Sequence, residues 1–251
     1  MAGVIAGVAV IVIFLCKDKV STDKKALVLV IYGTLIGCLV GAWLMDNIAH
    51  CIGGEPFGSG GISANGGIIG AVAACYFCGV IVFGCQNDAR YFLHLTVPSL
   101  ALVQAFGRIG CFFAGCCYGV PARWGIGVTY PEGSEAALMY GAGTKLVPTQ
   151  LIESAFLFAL TAALLLFVRK RRLVFYLYAY GTYRFFAEFW RGDNRGALVP
   201  FMSPSQFTSV LFVVAATVIL ILRKVGGDQG ITIPLRLKNT LEKNKEKREE
   251  E

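Results

Sequence analysis

Long apolar runs dominate this chain and leave it few folds to choose from. A helix needs about 20 apolar residues to cross the hydrocarbon core of a bilayer. About seven stretches come near or above that length: 2–16, 26–49, 62–85, 91–116, 149–168, 173–190 and 204–222. Backbone polar groups in lipid must be paired within the protein, so these runs are read as helices. The first is short, yet it lacks a basic lead and a clear small-x-small cleavage site. It is read as a span, with a cleaved signal peptide as the alternative. The expected fold class is an all-α integral membrane protein with about seven transmembrane helices, forming one domain without internal repeats.

Charge supports that reading. Only 16% of the 251 residues are charged, against about 25% in soluble domains, and the mean hydropathy is +0.64. Lys17, Lys19, Lys24 and Lys25 follow the first stretch, Arg90 the third, Arg169 to Arg172 the fifth, and Arg223 and Lys224 the seventh. These alternate loops share one side, which the positive-inside rule makes cytoplasmic. The N-terminus is then outside and the C-terminus inside. The other loops carry only Arg123, Lys145, Arg191 and Arg195. The net charge of +7 reflects this asymmetry, and no nucleic-acid partner is expected. Beyond Gly226 the tail mixes Lys, Arg and Glu as a frayed or disordered cytoplasmic extension.

Arg108 is the most informative polar residue. It lies in Gly107-Arg108-Ile109-Gly110-Cys111, continuing through Cys116-Cys117-Tyr118-Gly119, at the end of the fourth stretch. A guanidinium at membrane depth costs roughly 2.5–3.5 kcal/mol on insertion scales, so it faces a wet cavity, a carboxylate or an anionic ligand. The flanking glycines leave room for a headgroup to approach the backbone. An acidic lipid or a similar amphiphile is the expected ligand.

Arg184 and Glu188, four residues apart, share a helix face. They either neutralise each other or present a second cation, oriented by Glu188, to the anion at Arg108. Two guanidiniums could clamp a phosphate bidentately, which lysine does less well. Gln150 and Glu153 open the fifth stretch, where helix capping competes with a site role. Asn65 could bond backbone or donate to a ligand oxygen. Tyr32 is a core or interfacial-belt aromatic or part of the site. His94 is a satisfied helix polar group or a relay, His50 looks interfacial, and Asp193 with Arg195 suggests an outer turn.

Gly33, Gly37 and Gly41 form a small-residue ladder for close helix packing. The third stretch begins too rich in glycine to be only a lipid-facing helix, and broken or kinked backbone is tolerated where it lines a cavity. Residues 118–148 form the longest outer loop and suit an interfacial cap or short arm. Among nine cysteines, most lie within spans and act as small apolar groups. Cys75 and Cys78 share a face, but nothing nearby in sequence completes a metal or redox pair. Cys111, Cys116 and Cys117 cluster beside Arg108.

Several blocks resemble the prolipoprotein diacylglyceryl transferase family: Tyr32-Gly33, Gly66-Gly67-Ile68-Ile69-Gly70, Gly107 to Gly119, Pro148-Thr149-Gln150-Leu151-Ile152-Glu153 and Tyr180 to Arg191. They occur in the family's order over roughly residues 26–222. The resemblance implies a seven-helix bacterial cytoplasmic (inner) membrane enzyme, with residues 1–224 the transferase domain and 225–251 a charged cytoplasmic tail. Its implied partners are phosphatidylglycerol, the lipobox segment of a prolipoprotein signal peptide, and the bilayer. The diacylglyceryl group would pass to the lipobox thiol, forming a thioether and releasing glycerol phosphate. Arg108, Arg184 and Glu188 are the implied catalytic residues. Tyr32, Asn65, Gly66, Gly67, Cys111, Cys116, Gln150 and Tyr180 join Arg108 in substrate binding. No cofactor and no metal are expected.

The chain departs from the family pattern in four places. Asn65 stands where a histidine is usual, Cys111 where an asparagine is, Cys116 where a glutamate is, and His94 where an aspartate is. Two alternatives therefore stay open: a paralogue of the same fold with a different acceptor, and a non-catalytic protein that binds or transports anionic lipid.

Overall fold

The computed structural model describes residues 3, 5–7, 9–11, 24–52, 54, 56–58, 61–84, 86–123, 127–168, 170–193 and 202–225. The helices run in the order α1 (Lys24–Ile52), α2 (Ala64–Phe83), α3 (Gln86–Ala114), α4 (Glu135–Tyr140), α5 (Thr149–Leu166), α6 (Arg172–Ala187) and α7 (Pro204–Val225). Residues 3, 5–7 and 9–11 are also helical. Among the described residues there is no β-strand, and isolated bridges such as Pro121 with Leu146 are the extended pairing present. Five segments are long and apolar enough to cross a membrane: Lys25–Ile48, Ala64–Phe83, Ala89–Ala114, Thr149–Leu166 and Pro204–Val225. Large apolar side chains on them, among them Ile81 and Leu222, are exposed, as expected where lipid is the solvent. The Lys17 and Lys19 loop, Trp124, Arg195 and the charged tail lie outside the described residues.

The chain divides into two compact units, one of Met1–Gly7 with Pro98–Ile221 and the other of Val8–Val97 with Leu222–Glu251. The boundary falls at Pro98, within α3, where proline removes a helix hydrogen bond.

In the second of these units α1 and α2 touch backbone to backbone. A Cβ on Gly41 would lie 2.5 Å from the carbonyl oxygen of Gly66, and one on Gly70 would collide with the carbonyl of Gly37. Gly33 meets the Cys78 sulfur in the same way. The ladder on α1 is thus a packing face. The glycines of α2 are its counterpart, which corrects the reading of broken backbone: α2 is continuous from Ala64 to Phe83. Asp46 and Asn47 of α1 accept the backbone N–H groups of Gly61 and Gly58 at 2.6 and 2.8 Å, fastening the connection to α2. A core of Ile11, Val30, Cys75, Tyr91, Phe92 and Leu95 completes this unit.

In the other unit α3, α5, α6 and α7 are joined by polar side chains as well as apolar ones. Ser154 on α5 donates to the Ala105 carbonyl of α3 at 2.9 Å, and Tyr176 on α6 donates to Gln104 of α3 at 2.6 Å. Gly181 lets α6 approach Ser209 and Phe212 of α7. Arg172 is buried, and its Nε donates to the Leu164 and Val168 carbonyls at 3.0 and 3.1 Å. That guanidinium satisfies carbonyls the C-terminus of α5 would otherwise leave unpaired.

The sixth stretch is shorter than its sequence suggests. Helix α6 has 16 residues, or ~24 Å, and passes into a 3-10 turn at Glu188–Trp190. The chain then leaves helical geometry because its backbone pairs elsewhere: Val120 donates to Trp190 and Gly192 to Tyr118, each at 3.0 Å. Residues 118–148 fold around their own core of Tyr118, Tyr130, Ala136 and Leu146.

Candidate active site

The site is assembled within the unit containing Pro98–Ile221. Arg108, near the end of α3, places its Nε 3.0 Å from Glu153 Oε1 on α5, and both side chains are buried. Tyr180 on α6 donates to the same Oε1 at 3.0 Å. Glu153 therefore joins three helices. Its carboxylate also lies within Coulomb reach of Arg184 and Arg191.

Arg184, one turn beyond Tyr180, is 2% exposed. Its Nη2 donates to Ser205 Oγ of α7 at 3.0 Å and lies 3.0 Å from Glu188 Oε2. The mutual pair anticipated from the sequence is present, but it does not saturate the guanidinium. Nε and Nη1 are buried without a hydrogen-bond partner, and Glu188 Oε2 accepts no hydrogen bond. Buried donors are almost always satisfied, so the two on Arg184 mark an unmet hydrogen-bonding demand in this part of the protein. A cavity of about 880 Å³ adjoins Arg184 and is lined by Glu153, Tyr183, Arg184, Trp190, Arg191 and Arg123 among others, but not by Glu188. Arg108 is not among its lining residues. The cation that the sequence marks first is paired with the lining residue Glu153, whereas Arg184 itself lines the space.

Arg191 pairs through Nε with Asp193 Oδ1 at 2.8 Å and through Nη2 with Oδ2, and lies 3.9 Å from Glu188 Oε2. Burial disfavours its cation, but the hydrogen bonds and charge of Asp193 outweigh that and hold its pKa above the usual arginine value.

Gln150 is no cap. Tyr130 donates to its Oε1 at 2.9 Å, and its Nε2 donates to the Cys116 carbonyl at 2.7 Å. Thr149 likewise donates to the Cys117 carbonyl at 2.9 Å. The N-terminus of α5 thus grips the turn that follows α3. That turn has the hydrogen bonds of a Schellman motif: Gly115, with φ +67°, donates to Phe112, and Cys116 donates to Cys111. The motif brings the residues at its two ends into contact, and here both are cysteines. Cys117 takes φ +61°, a conformation unusual for a residue with a Cβ. The three sulfurs lie within 4.8 Å of one another, and none is in a disulfide. Burial, and then the neighbouring Cys117, raise the Cys116 thiol pKa above its ordinary value.

The remaining expected residues lie in the other unit. Tyr32 is 63% exposed, which removes the core reading. Asn65 is buried with Oδ1 unpartnered. Gly66 and Gly67 pack against α1, near Met45 and Cys38 respectively, and that packing suffices to explain both glycines. Gly107 and Gly110 differ, because a Cβ on either would meet nothing within 4 Å among the described residues. Glu153 is the residue undervalued by sequence reasoning. The available signal was Arg108 itself, since a membrane guanidinium needs an acid and Glu153 is one of the few carboxylates near a span.

The family model for prolipoprotein diacylglyceryl transferase matches residues 1–222. The chain belongs to this family. Among its relatives, phosphatidylglycerol–prolipoprotein diacylglyceryl transferase 2 of Clostridium perfringens is 41% identical over 138 residues, covering 53% of this chain and 52% of the relative. The Clostridium tetani transferase of the same name is 40% identical over 157 residues, 59% of each chain. The Chlorobaculum tepidum transferase is 28% identical over 242 residues, 84% of this chain and 80% of the relative. The alignments to the two clostridial relatives thus span little more than half of their length.

Proposed function

We propose that this chain transfers the diacylglyceryl group of phosphatidylglycerol to the lipobox cysteine thiol of prolipoproteins in a bacterial cytoplasmic membrane. One observation carries the reading: a buried guanidinium, Arg184, with two donors left open beside a cavity of about 880 Å³. Arg184 would take the headgroup phosphate, with Arg191 as a more distant cation. The attacking sulfur forms a C–S bond to the glyceryl carbon as its C–O bond to phosphate breaks. Glycerol phosphate leaves with the electron pair, and its growing charge is what preorganised cations stabilise. The thiol proton would pass to solvent or to the departing phosphate, and Glu188, ion-paired with Arg184 at 3.0 Å, would orient that guanidinium. Arg108 would fix Glu153 and Tyr180 at the back of the site and reach the headgroup only as its pair opens.

The alternating Lys/Arg loops support seven spans with the N-terminus outside. The test is a mixture of purified protein, phosphatidylglycerol and a lipobox peptide, read by mass. A thioether-linked diacylglyceryl peptide with stoichiometric glycerol phosphate is expected. Binding of the lipid without either product would refute the reading in favour of lipid carriage.

A further inference from the structure

We propose that Cys111, Cys116 and Cys117 bind one zinc ion through three thiolates and leave its fourth position open to an incoming thiol. Three sulfurs within 4.8 Å of one another are close to the roughly 3.8 Å separation that Zn–S bonds of about 2.3 Å impose in a tetrahedron. A small inward movement completes the fit. The backbone already supplies the convergence, because the Schellman turn folds Cys116 onto Cys111 and the left-handed Cys117 turns back into the group. Thr149 and Gln150 hold the two carbonyls of that turn, so the donors are anchored from α5 rather than left on a free loop.

The donor set decides the metal and its geometry. Thiolates select zinc and other thiophilic ions over magnesium or calcium. Among the described residues no histidine, carboxylate or further thiol joins the group, and all three cysteines are only partly buried. Three protein ligands and an accessible fourth position are the hallmark of a catalytic rather than a structural zinc site. Zinc with three thiolates is one unit negative, and Arg108 and Arg191, though each is paired with a carboxylate, both lie within Coulomb reach of Cys117.

The identity of the fourth ligand rests on the transferase reading; the metal site does not. When a substrate thiol enters, its S–H proton passes to solvent or buffer and its sulfur lone pair binds the zinc. A coordinated thiol is deprotonated outright, which supplies the nucleophile that thioether formation needs. No oxidant is consumed.

Cobalt(II) is the probe, added to the full chain in detergent after reduction and removal of metals. Uptake of one cobalt per chain is expected, with intense thiolate-to-cobalt absorption. Cys111→Ser and Cys116→Ser should each weaken uptake by more than the roughly 10-fold typical of losing a mere supporting contact, while Cys51→Ser retains it. A lipobox peptide bearing cysteine should shift the spectrum, and its serine counterpart should not. Three reduced thiols that take up no cobalt, a disulfide among them, or uptake indifferent to both serine variants would each overturn the site. Full glycerol phosphate release by metal-free protein would overturn the thiol-activating role and leave the transferase reading standing. A cysteine-dependent spectral shift with no glycerol phosphate would uphold the metal site and remove the transferase reading instead.

Discussion

Arg108 and Glu153 meet at 3.0 Å across the α3–α5 contact, with both side chains buried. The pair neutralises a buried cation of the fourth stretch, while Arg184 keeps two buried donors without a hydrogen-bond partner. Two arginines that look equivalent in sequence thus sit in different electrostatic surroundings.

Removing one partner of such a pair costs about 3–5 kcal/mol, because an uncompensated buried charge remains. Glu153→Gln should lower stability by that amount in denaturant unfolding of the detergent-solubilised protein. Tyr180→Phe removes one hydrogen bond and should cost about 1 kcal/mol. The double variant Arg108→Met with Glu153→Leu should recover most of the stability lost by Glu153→Gln yet stay inactive. Equal losses in the first two variants would show that Glu153 is not acting as a counter-ion.

Arg184→Ala should reduce transfer by about 100-fold or more, the scale of losing a preorganised donor to developing charge. Arg184→Lys keeps the charge but not the planar fork, so it should recover little. Membrane insertion should be unchanged in both, as read by protease protection. Wild-type turnover in Arg184→Lys would mean that the phosphate is met by a simple point charge.

Glycines divide into two kinds that stability measurements can separate. Gly41→Ala forces a Cβ against the Gly66 carbonyl, and overpacking of this sort costs about 1–3 kcal/mol. Gly107→Ala and Gly110→Ala meet open space and should stabilise α3 by up to about 1 kcal/mol. If these two raise the unfolding midpoint while raising KM for phosphatidylglycerol, the bare backbone serves ligand approach.

Gln150→Leu severs the link between Tyr130 and the Cys116 carbonyl and leaves both groups unmet. A loss of about 1–3 kcal/mol is expected, with faster hydrogen exchange at residues 116–130. A variant that keeps wild-type exchange there would show that Thr149 alone holds the turn.

Apolar length and glycine spacing made the helices and the α1–α2 contact legible, since both follow from the chain's own periodicity. Arg184 and Glu188 were visible for the same reason, being four residues apart on one helix. Glu153 and Gln150 were harder to judge. A polar residue in a first helical turn satisfies capping rules on its own, and their partners come from segments 20 to 45 residues away. Tyr32 was ambiguous because an aromatic in a span has the same local pattern whether it faces core or lipid. The gathering of the three thiols depends on a left-handed residue at Cys117 that no propensity announces, although Gly115 was a visible stop signal for α3.

Residues 118–123 and 127–148 are pinned at several points: at entry by Thr149 and Gln150, by Val128 against Leu146, and by Tyr140 donating to Gly192. The corner at Ala142–Gly143 is a turn closed by Thr144, whose N–H donates to the Gly141 carbonyl at 3.3 Å and whose hydroxyl donates to the Tyr140 carbonyl at 2.8 Å. Ala142 is exposed, and Gly143, with φ +84°, has nothing within 4 Å of a would-be side chain. Doubling a flexible loop adds only about 0.6 kcal/mol of closure entropy. An affinity handle or fluorophore spliced between Ala142 and Gly143 would open only the turn closed by Thr144 and leave the anchors of Thr149 and Gln150 at the start of α5 in place.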